Sequence, residues 1–227
     1  MHVWQEDRGF RVASSRNKAV VVSTGDYIIQ IDGDIIMHGS FISDHLALCR
    51  PGHYLKGGRV NLGEELTERL CDEGRLPRIN PFTRGIHSKG ISAIHLPMLA
   101  RLLAPRYAPK RLIALACNSS FFRKDFMAVN GYDESFEGWG HEDADLFRRF
   151  MRSGITKRHL KFTGIGFHLW HAHNYMQNEA KNRIYANRCE NQQPAYCVNG
   201  IDRYSGMTPL VDSYGRIVFP EFNTCKM

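Results

Sequence analysis

Residues Asn130 to Gly154 read NGYDESFEGWGHEDADLFRRFMRSG. Five carboxylates, Asp133, Glu134, Glu137, Glu142 and Asp143, surround the sharp turn Gly138-Trp139-Gly140. The turn runs into a helix-like pattern from Glu142 to Arg152. Glu142 and Asp143 then fall at the helix start, where peptide dipoles stabilise their charged forms. A carboxylate held charged beside an aromatic wall can accept a proton from a hydroxyl. An acidic first turn that only caps a helix would give the same pattern. Two companions favour chemistry: an Asp-Gly-Asp at 32–34 after an apolar strand, and a histidine cluster at 168–173.

Working outward on the N-terminal side, Val12 to Val22 (VASSRNKAVVV) repeats apolar residues at helical spacing, Gly25-Asp26 makes a turn, and Tyr27 to Ile31 is a strand ending at Asp32-Gly33-Asp34. Helix, turn, strand and acidic loop make half of an α/β unit, and ligands of open α/β sheets lie at the carboxyl ends of the strands. Phe41–Cys49 reads as a helix, His53–Val60 as a strand and Gly63–Glu73 as a charged helix. Leu76–Ala108, rich in Pro, Gly and basic residues, reads as a partly helical insertion or flap. Leu112–Ala116 is expected as a second buried strand, followed by Asn118-Ser119-Ser120 and a short helix from Phe122 to Val129.

On the C-terminal side, the run His159–Phe167 is strand-like and ends in Phe167-His168-Leu169-Trp170-His171-Ala172-His173-Asn174. In an extended chain His171 and His173 share a face; in a turn or helix start His168 and His171 converge instead. Imidazole with carboxylate oxygen suits manganese, zinc or iron. Met176–Arg188 reads as a polar helix, and the tail after Cys189 as a loosely packed extension.

The chain has 227 residues, 43% hydrophobic and 23% charged, which fits a globular domain with a sizeable core. Its net charge of +7 suits an anionic partner such as a nucleotide diphosphate, an acidic glycan or a lipid surface. No aromatic-rich basic repeat of the nucleic-acid-binding kind is present. The six cysteines show no zinc-knuckle spacing. With no recognisable signal peptide they read as free thiols in a reducing compartment. No apolar run approaches the roughly 20 residues of a membrane span. The expected location is therefore cytoplasmic, with at most peripheral contact at the inner face of a membrane through basic residues.

These segments together resemble a family 2 glycosyltransferase with a galactosyltransferase-type C-terminal region, as in β-1,4-galactosyltransferases and chondroitin-polymerase-like enzymes. The match is carried by Gln5-Glu6-Asp7-Arg8-Gly9-Phe10, Arg16-Asn17, Asp32-Gly33-Asp34, Asn130-Gly131-Tyr132-Asp133, His168-Leu169-Trp170-His171 and above all Gly138-Trp139-Gly140-His141-Glu142-Asp143-Ala144-Asp145. It covers residues 2 to 188.

The resemblance implies a GT-A-like, Rossmann-like α/β fold, a mixed sheet flanked by helices. The catalytic domain would span 1–188, with 112–175 as its galactosyltransferase-type region and 189–227 as an extension. It implies inverting, metal-dependent transfer of a hexose or N-acetylhexosamine from a nucleotide-diphosphate sugar, a UDP-sugar first, to a glycan or lipid-linked glycan acceptor, as in polysaccharide biosynthesis. Asp34 would bind the divalent metal, manganese before magnesium, with His171 and His168. Asp32 would contact the donor sugar or ribose and support the metal, Arg16 and Asn17 would lie near the nucleotide, and Asn118 would bind substrate. Asp143 would be the catalytic base, Glu142 would hold the acceptor, and Trp139 with Gly140 would wall its pocket. Relatives begin with a further strand, a base-binding loop and an Asp-bearing strand. The resemblance therefore implies a chain starting after them, with an exposed sheet edge and weak donor binding on its own. A metal-dependent hydrolase built on Asp32, Asp34, His168, His171 and His173, and a non-catalytic sugar-binding or partner subunit, are the competing expectations.

Overall fold

The computed structural model describes residues 1–74, 78–104, 116–172 and 178–220. The elements run β1 (Val3–Trp4), α1 (Val12–Val22), β2 (Tyr27–Ile31), β3 (Ile35–Met37), α2 (Phe41–Leu48), β4 (His53–Gly57), β5 (Arg59–Leu62), α3 (Glu64–Glu73) and β6 (Ile86–Ser88). A 3-10 turn (Gly90–Ala93) follows, then α4 (Pro97–Leu103), β7 (Asn118–Phe122), α5 (Arg123–Ala128), α6 (Glu142–Arg152), β8 (Thr156–Leu160), β9 (Gly166–His168) and α7 (Glu179–Gln192). A second 3-10 turn (Ile201–Tyr204), β10 (Leu210–Val211) and β11 (Ile217–Val218) close the described chain. This is the mixed α/β architecture that the sequence implied. Among the described residues no helix is long and apolar enough to cross a membrane.

The chain divides into two compact units. One takes the described residues of Asp26–Asp125 and Ser153–Asn174 and is called here the sheet unit. It holds two mixed sheets, ordered β2-β7-β4-β8 and β3-β9-β5-β6. In the first, β4 is antiparallel to β7 and parallel to β8. In the second, β9 is antiparallel to β3 and parallel to β5. Helix α3 buries Leu66 and Leu70, one turn apart, against Val60, Leu62, Ile165 and Phe167. Gly74, left-handed at φ 61°, ends that helix by donating its N–H to Leu70 O, a conformation glycine adopts without steric cost.

Three expectations change here. The strand expected over 53–60 is two strands, because the Gly58 carbonyl accepts from the Asn118 side chain at 2.7 Å. A Cβ on Gly57 would lie 2.2 Å from that side chain, so only glycine admits the close approach. The strand expected over 159–167 is likewise two, separated by left-handed Phe162 and Gly164. Asn118-Ser119-Ser120, placed after a strand ending at Ala116, itself opens strand β7. The strand expected at Leu112–Ala116 falls, apart from Ala116, outside the described residues.

Strand β7 escapes a polarity reading because its polar side chains are fully buried and paired. Asn118 Nδ2 donates to Gly58 O and Gly164 O, both at 2.7 Å, which orients Asn118 Oδ1 toward His45 Nε2 at 3.1 Å. That oxygen can only accept, so His45 carries its proton on Nε2, and Nδ1 accepts from Ser120 Oγ at 2.7 Å. Tyr27, whose hydroxyl burial lifts to about 12, then donates to Ser120 Oγ at 2.8 Å. Every link is satisfied only while His45 is neutral, and burial pushes its pKa down to about 4. Burial and neighbouring lysines also hold His159 at about 4. Unfolded histidine takes up a proton near 6.5 and the folded rings do not, so stability is full above that pH and declines as pH falls toward 4. His45 should contribute on the order of 3 kcal/mol to that decline. Urea midpoints measured from pH 7 to 4 should fall, and the fall should be smaller in His45→Gln. A pH-independent midpoint would contradict a His45 held neutral by burial.

The other unit takes the described residues of Met1–Gly25, Phe126–Arg152 and Tyr175–Met227 and is called here the helical unit. Helix α1 buries Ala13, Ser14, Asn17 and Val20, one face at helical spacing. The sheet β1-β11-β10 pairs β1 parallel to β11.

The tail is packed rather than loose. Cys197, Ile201, Tyr204 and Phe219 are buried. The Asn130 side chain donates to Cys197 O and Asp202 Oδ1 and accepts from Asp202 N, each at 2.8 Å. A Cβ on Gly200 would come 1.9 Å from Asn130 O, so glycine is required there. The guanidinium of Arg216 lies 4.4 Å above the Trp4 ring.

Candidate active site

In the sheet unit, β2 delivers the turn Asp32-Gly33-Asp34, and the Ile35 N–H closes it onto Asp32 O at 3.2 Å. Strand β3 begins at Ile35, whose register partner in β9 is His168. The Leu169 N–H donates to Asp34 O at 2.9 Å, continuing the pairing past the strand end. Register therefore brings His168 beside Asp34. The chain then turns, and the Trp170 N–H is fixed by Thr67 Oγ1 of α3 at 2.9 Å. His171 folds back so that its Nε2 lies 3.0 Å from Asp34 Oδ2, with His168 Nε2 at 3.3 Å from the same oxygen. Of the two arrangements open from sequence, the turn holds for the His168–His171 pair, whose ring centroids are 5.2 Å apart. His173 lies outside the described residues.

This triad fits a divalent cation. One ligand atom from each of Asp34, His168 and His171 lies within 4.8 Å of the others. Asp34 Oδ1 is buried and finds no hydrogen-bond partner among the described residues, as suits an oxygen directed at a cation. The hydrogen bond from His168, above all, holds the Asp34 carboxyl below its usual range, so it is available as an anionic ligand. Two imidazoles and one carboxylate suit manganese, zinc or iron, and three protein ligands leave positions open for substrate oxygens. Asp32 precedes this triad and is not one of its members.

In the helical unit, the Gly138 N–H bonds to Phe10 O at 2.8 Å, and Gly138, Gly140 and His141 all have positive φ. The backbone thus reverses tightly into α6, whose first turn carries Glu142, Asp143 and Asp145. Arg16 of α1 meets this turn: its Nη1 is 2.7 Å from Asp143 Oδ1 and 3.6 Å from Glu142 Oε1, and its guanidinium lies 5.2 Å from the centroid of the Tyr132 ring. Arg16, expected near the nucleotide, is therefore the residue that orients the expected base. Asp143 remains partly exposed and Glu142 is buried. Trp139 is partly buried, and its carbonyl accepts from Asn182 at 3.2 Å.

Two expected substrate contacts are instead built into the scaffold. Asn17 is wholly buried, donating to Tyr132 O and Glu134 Oε1 and accepting from the Tyr132 N–H. Asn118 is wholly buried in the His45 network of the sheet unit. Asp133 and Glu134 are also structural: Asp133 accepts from Tyr185 and Ser135, and Glu134 from Tyr204 and Arg203. Sequence reasoning overlooked Arg149. It is fully buried, pairs with Asp145 at 2.8 Å, and donates to Val129 O and Gly131 O at 2.7 Å. Its signal was an Asp four residues earlier on the same helix.

Residues 95–172 match the family model described as the N-terminal domain of galactosyltransferase. Validoxylamine A glucosyltransferase of Streptomyces hygroscopicus subsp. jinggangensis is 27% identical over 168 residues, covering 68% of this chain and 38% of that protein. Human chondroitin sulfate N-acetylgalactosaminyltransferase 1 is 38% identical over 50 residues, covering 22% of this chain and 9% of that protein. The chain thus spans well under half the length of these relatives.

Among solved structures, the Drosophila β1,4-galactosyltransferase 7 catalytic domain in complex with xylobiose superposes with a TM-score of 0.52 at 16% identity, covering 95% of this chain and 76% of that one. GalNAc-T7 with UDP, GalNAc and Mn2+ gives 0.57 at 12% identity, covering 82% and 36%. The fold is that of the GT-A nucleotide-sugar transferases. Within that class, the chain is similar in sequence to glycosyltransferases, and residues 95–172 match the galactosyltransferase family model.

Proposed function

We propose that this chain is a metal-dependent, inverting hexosyltransferase of family 2 type. It would move a hexose or N-acetylhexosamine from a UDP-sugar to a hydroxyl of a glycan or lipid-linked glycan. The observation that carries the reading is the convergence of Asp34, His168 and His171, with Asp34 Oδ1 left open. In this reading Asp34, as the metal-bound member of an Asp-x-Asp motif, holds manganese with the two histidines. Magnesium is the second choice, because imidazole nitrogens suit a softer ion. The cation would supply electrostatic stabilisation of the leaving diphosphate.

The protein's own groups do the rest. Arg16 fixes the orientation of Asp143, and Asp143 takes the proton of the acceptor hydroxyl. The acceptor oxygen forms a bond to the anomeric carbon as the bond from that carbon to the diphosphate oxygen breaks, and the nucleoside diphosphate leaves with the electron pair. Attack from the face opposite the leaving group inverts the centre. Glu142 and Trp139 hold the acceptor sugar, Gly140 gives its pocket room, and Asp32 contacts the donor. Polysaccharide assembly at the cytoplasmic face of a membrane is the setting this reading fits, with the basic charge drawing the chain toward anionic surfaces.

Calorimetric titration of UDP, with and without manganese, tests the reading. Binding should require manganese, and Asp34→Ala should lower affinity by roughly 100-fold, equivalent to about 3 kcal/mol. Manganese-independent UDP binding unaffected by Asp34→Ala would refute the metal assignment.

A further inference from the structure

We infer that His38, Asp44 and His95 form a second site for a divalent transition cation, zinc first, built from residues separate from the Asp34 triad. The three residues come from three elements of the sheet unit: His38 follows β3, Asp44 lies in the first turn of α2, and His95 precedes α4. One ligand atom from each lies within 4.8 Å of the others. His95 Nε2 is 3.0 Å and 3.2 Å from the two Asp44 oxygens, and the His38 and His95 rings are 4.6 Å apart. Two ligands of a tetrahedral zinc stand about 3.3 Å apart, so small shifts suffice for binding.

Three features distinguish this group from a surface ion pair. Asp44 is only 6% exposed, and a buried carboxylate is costly unless a cation meets it. Among the described residues its ion-pair partner is an imidazole. Its Oδ2 is also aimed by the Gly164 N–H at 2.9 Å, the outer support that metal-ligating carboxylates use.

The site also has room and an open donor. Asp44 and His95 line a cavity of about 240 Å³ together with Ser40, Ser43 and Thr163. The Thr163 hydroxyl is buried there and finds no hydrogen-bond partner among the described residues. Two nitrogens, one carboxylate and a neighbouring hydroxyl or water complete a four-coordinate zinc shell. Two local features oppose binding: the cationic Arg101 lines the same cavity, and the His38 ring is already engaged. His38 Nδ1 accepts the Ser40 N–H at 3.2 Å, so ligation through Nε2 requires the ring proton to move to Nδ1 and that contact to open. Loaded, the site would tie the end of β3, α2 and the segment leading into α4 to one ion.

Cobalt, which reports tetrahedral coordination by visible absorption, is the probe, used on full-length chain carrying Asp34→Ala and His171→Ala to disable the first triad. We expect one cobalt per chain, displaced by zinc, with visible bands. Adding His38→Gln and His95→Gln should abolish the bands while far-ultraviolet circular dichroism stays the same. The single variant His38→Gln, which keeps the Asp44–His95 pair, should weaken binding by at least about tenfold. Absence of stoichiometric cobalt from the Asp34→Ala, His171→Ala protein, or bands unchanged by His38→Gln, would overturn the proposal. No nucleotide or sugar enters the measurement, so its outcome is independent of the proposed transferase activity.

Discussion

Asp143→Asn is expected to lower kcat for sugar transfer by roughly 10²- to 10⁴-fold, the usual worth of a positioned general base. The amide keeps the shape of the carboxylate, and its oxygen can still accept from Arg16, which now meets Asp143 Oδ1 at 2.7 Å. The loss should therefore appear in kcat, with manganese-dependent UDP binding unchanged. Arg16→Lys should show a smaller loss in the same direction, because a lysine cannot reproduce the planar guanidinium contact. Asp143→Asn protein turning over at the wild-type rate would remove this residue from the chemistry and leave the acidic turn as a helix-capping feature.

The largest stability effect should come from Arg149→Ala. Arg149 is fully buried and holds three partners at once: Asp145 one turn earlier, and the carbonyls of Val129 and Gly131. Removal strands the Asp145 carboxylate, whose pKa burial already raises despite the guanidinium, and leaves two backbone carbonyls unsatisfied. Breaking a buried pair from one side costs about 3–5 kcal/mol. A denaturant titration would register this as a large drop in midpoint. A drop worth less than about 1 kcal/mol would mean the cavity refills or Asp145 finds another donor. The effect bears on the site as well, since Arg149 links α6 to the 129–131 segment and Asp143 sits on the first turn of that helix.

What sequence made legible follows from what side chains signal locally. Helix α1 and helix α6 were readable from helical spacing and strand β2 from its apolar, β-branched run, and all three bounds agree with the structure. The triad was readable because Asp34 and His171 are ligand-type residues at turns, whereas their convergence depends on the Ile35–His168 register, which no local pattern encodes. Strand β7 was hidden because Asn118, Ser119 and Ser120 are polar and buried at once; their partners, among them His45 and Gly58, are distant in sequence. The same long-range bonding hid the scaffold roles of Asn17 and Asn118. A motif fixes residue types, while burial decides whether an amide faces a ligand or its own backbone. The tail looked loose because its anchor, Asn130, lies far upstream.

The parallel pairing of Val3 with Ile217 and Trp4 with Val218 sets an order of events during synthesis. Val3 and Trp4 are made long before Ile217 and Val218, so among the described residues they have no strand partner until β11 follows. The described residues of the sheet unit, by contrast, are all available once translation has passed position 174. The described pairing of the sheet unit can therefore form co-translationally, whereas the β1–β11 clasp must wait until β11 has been made, with the loop-closure entropy of so distant a contact still unmet.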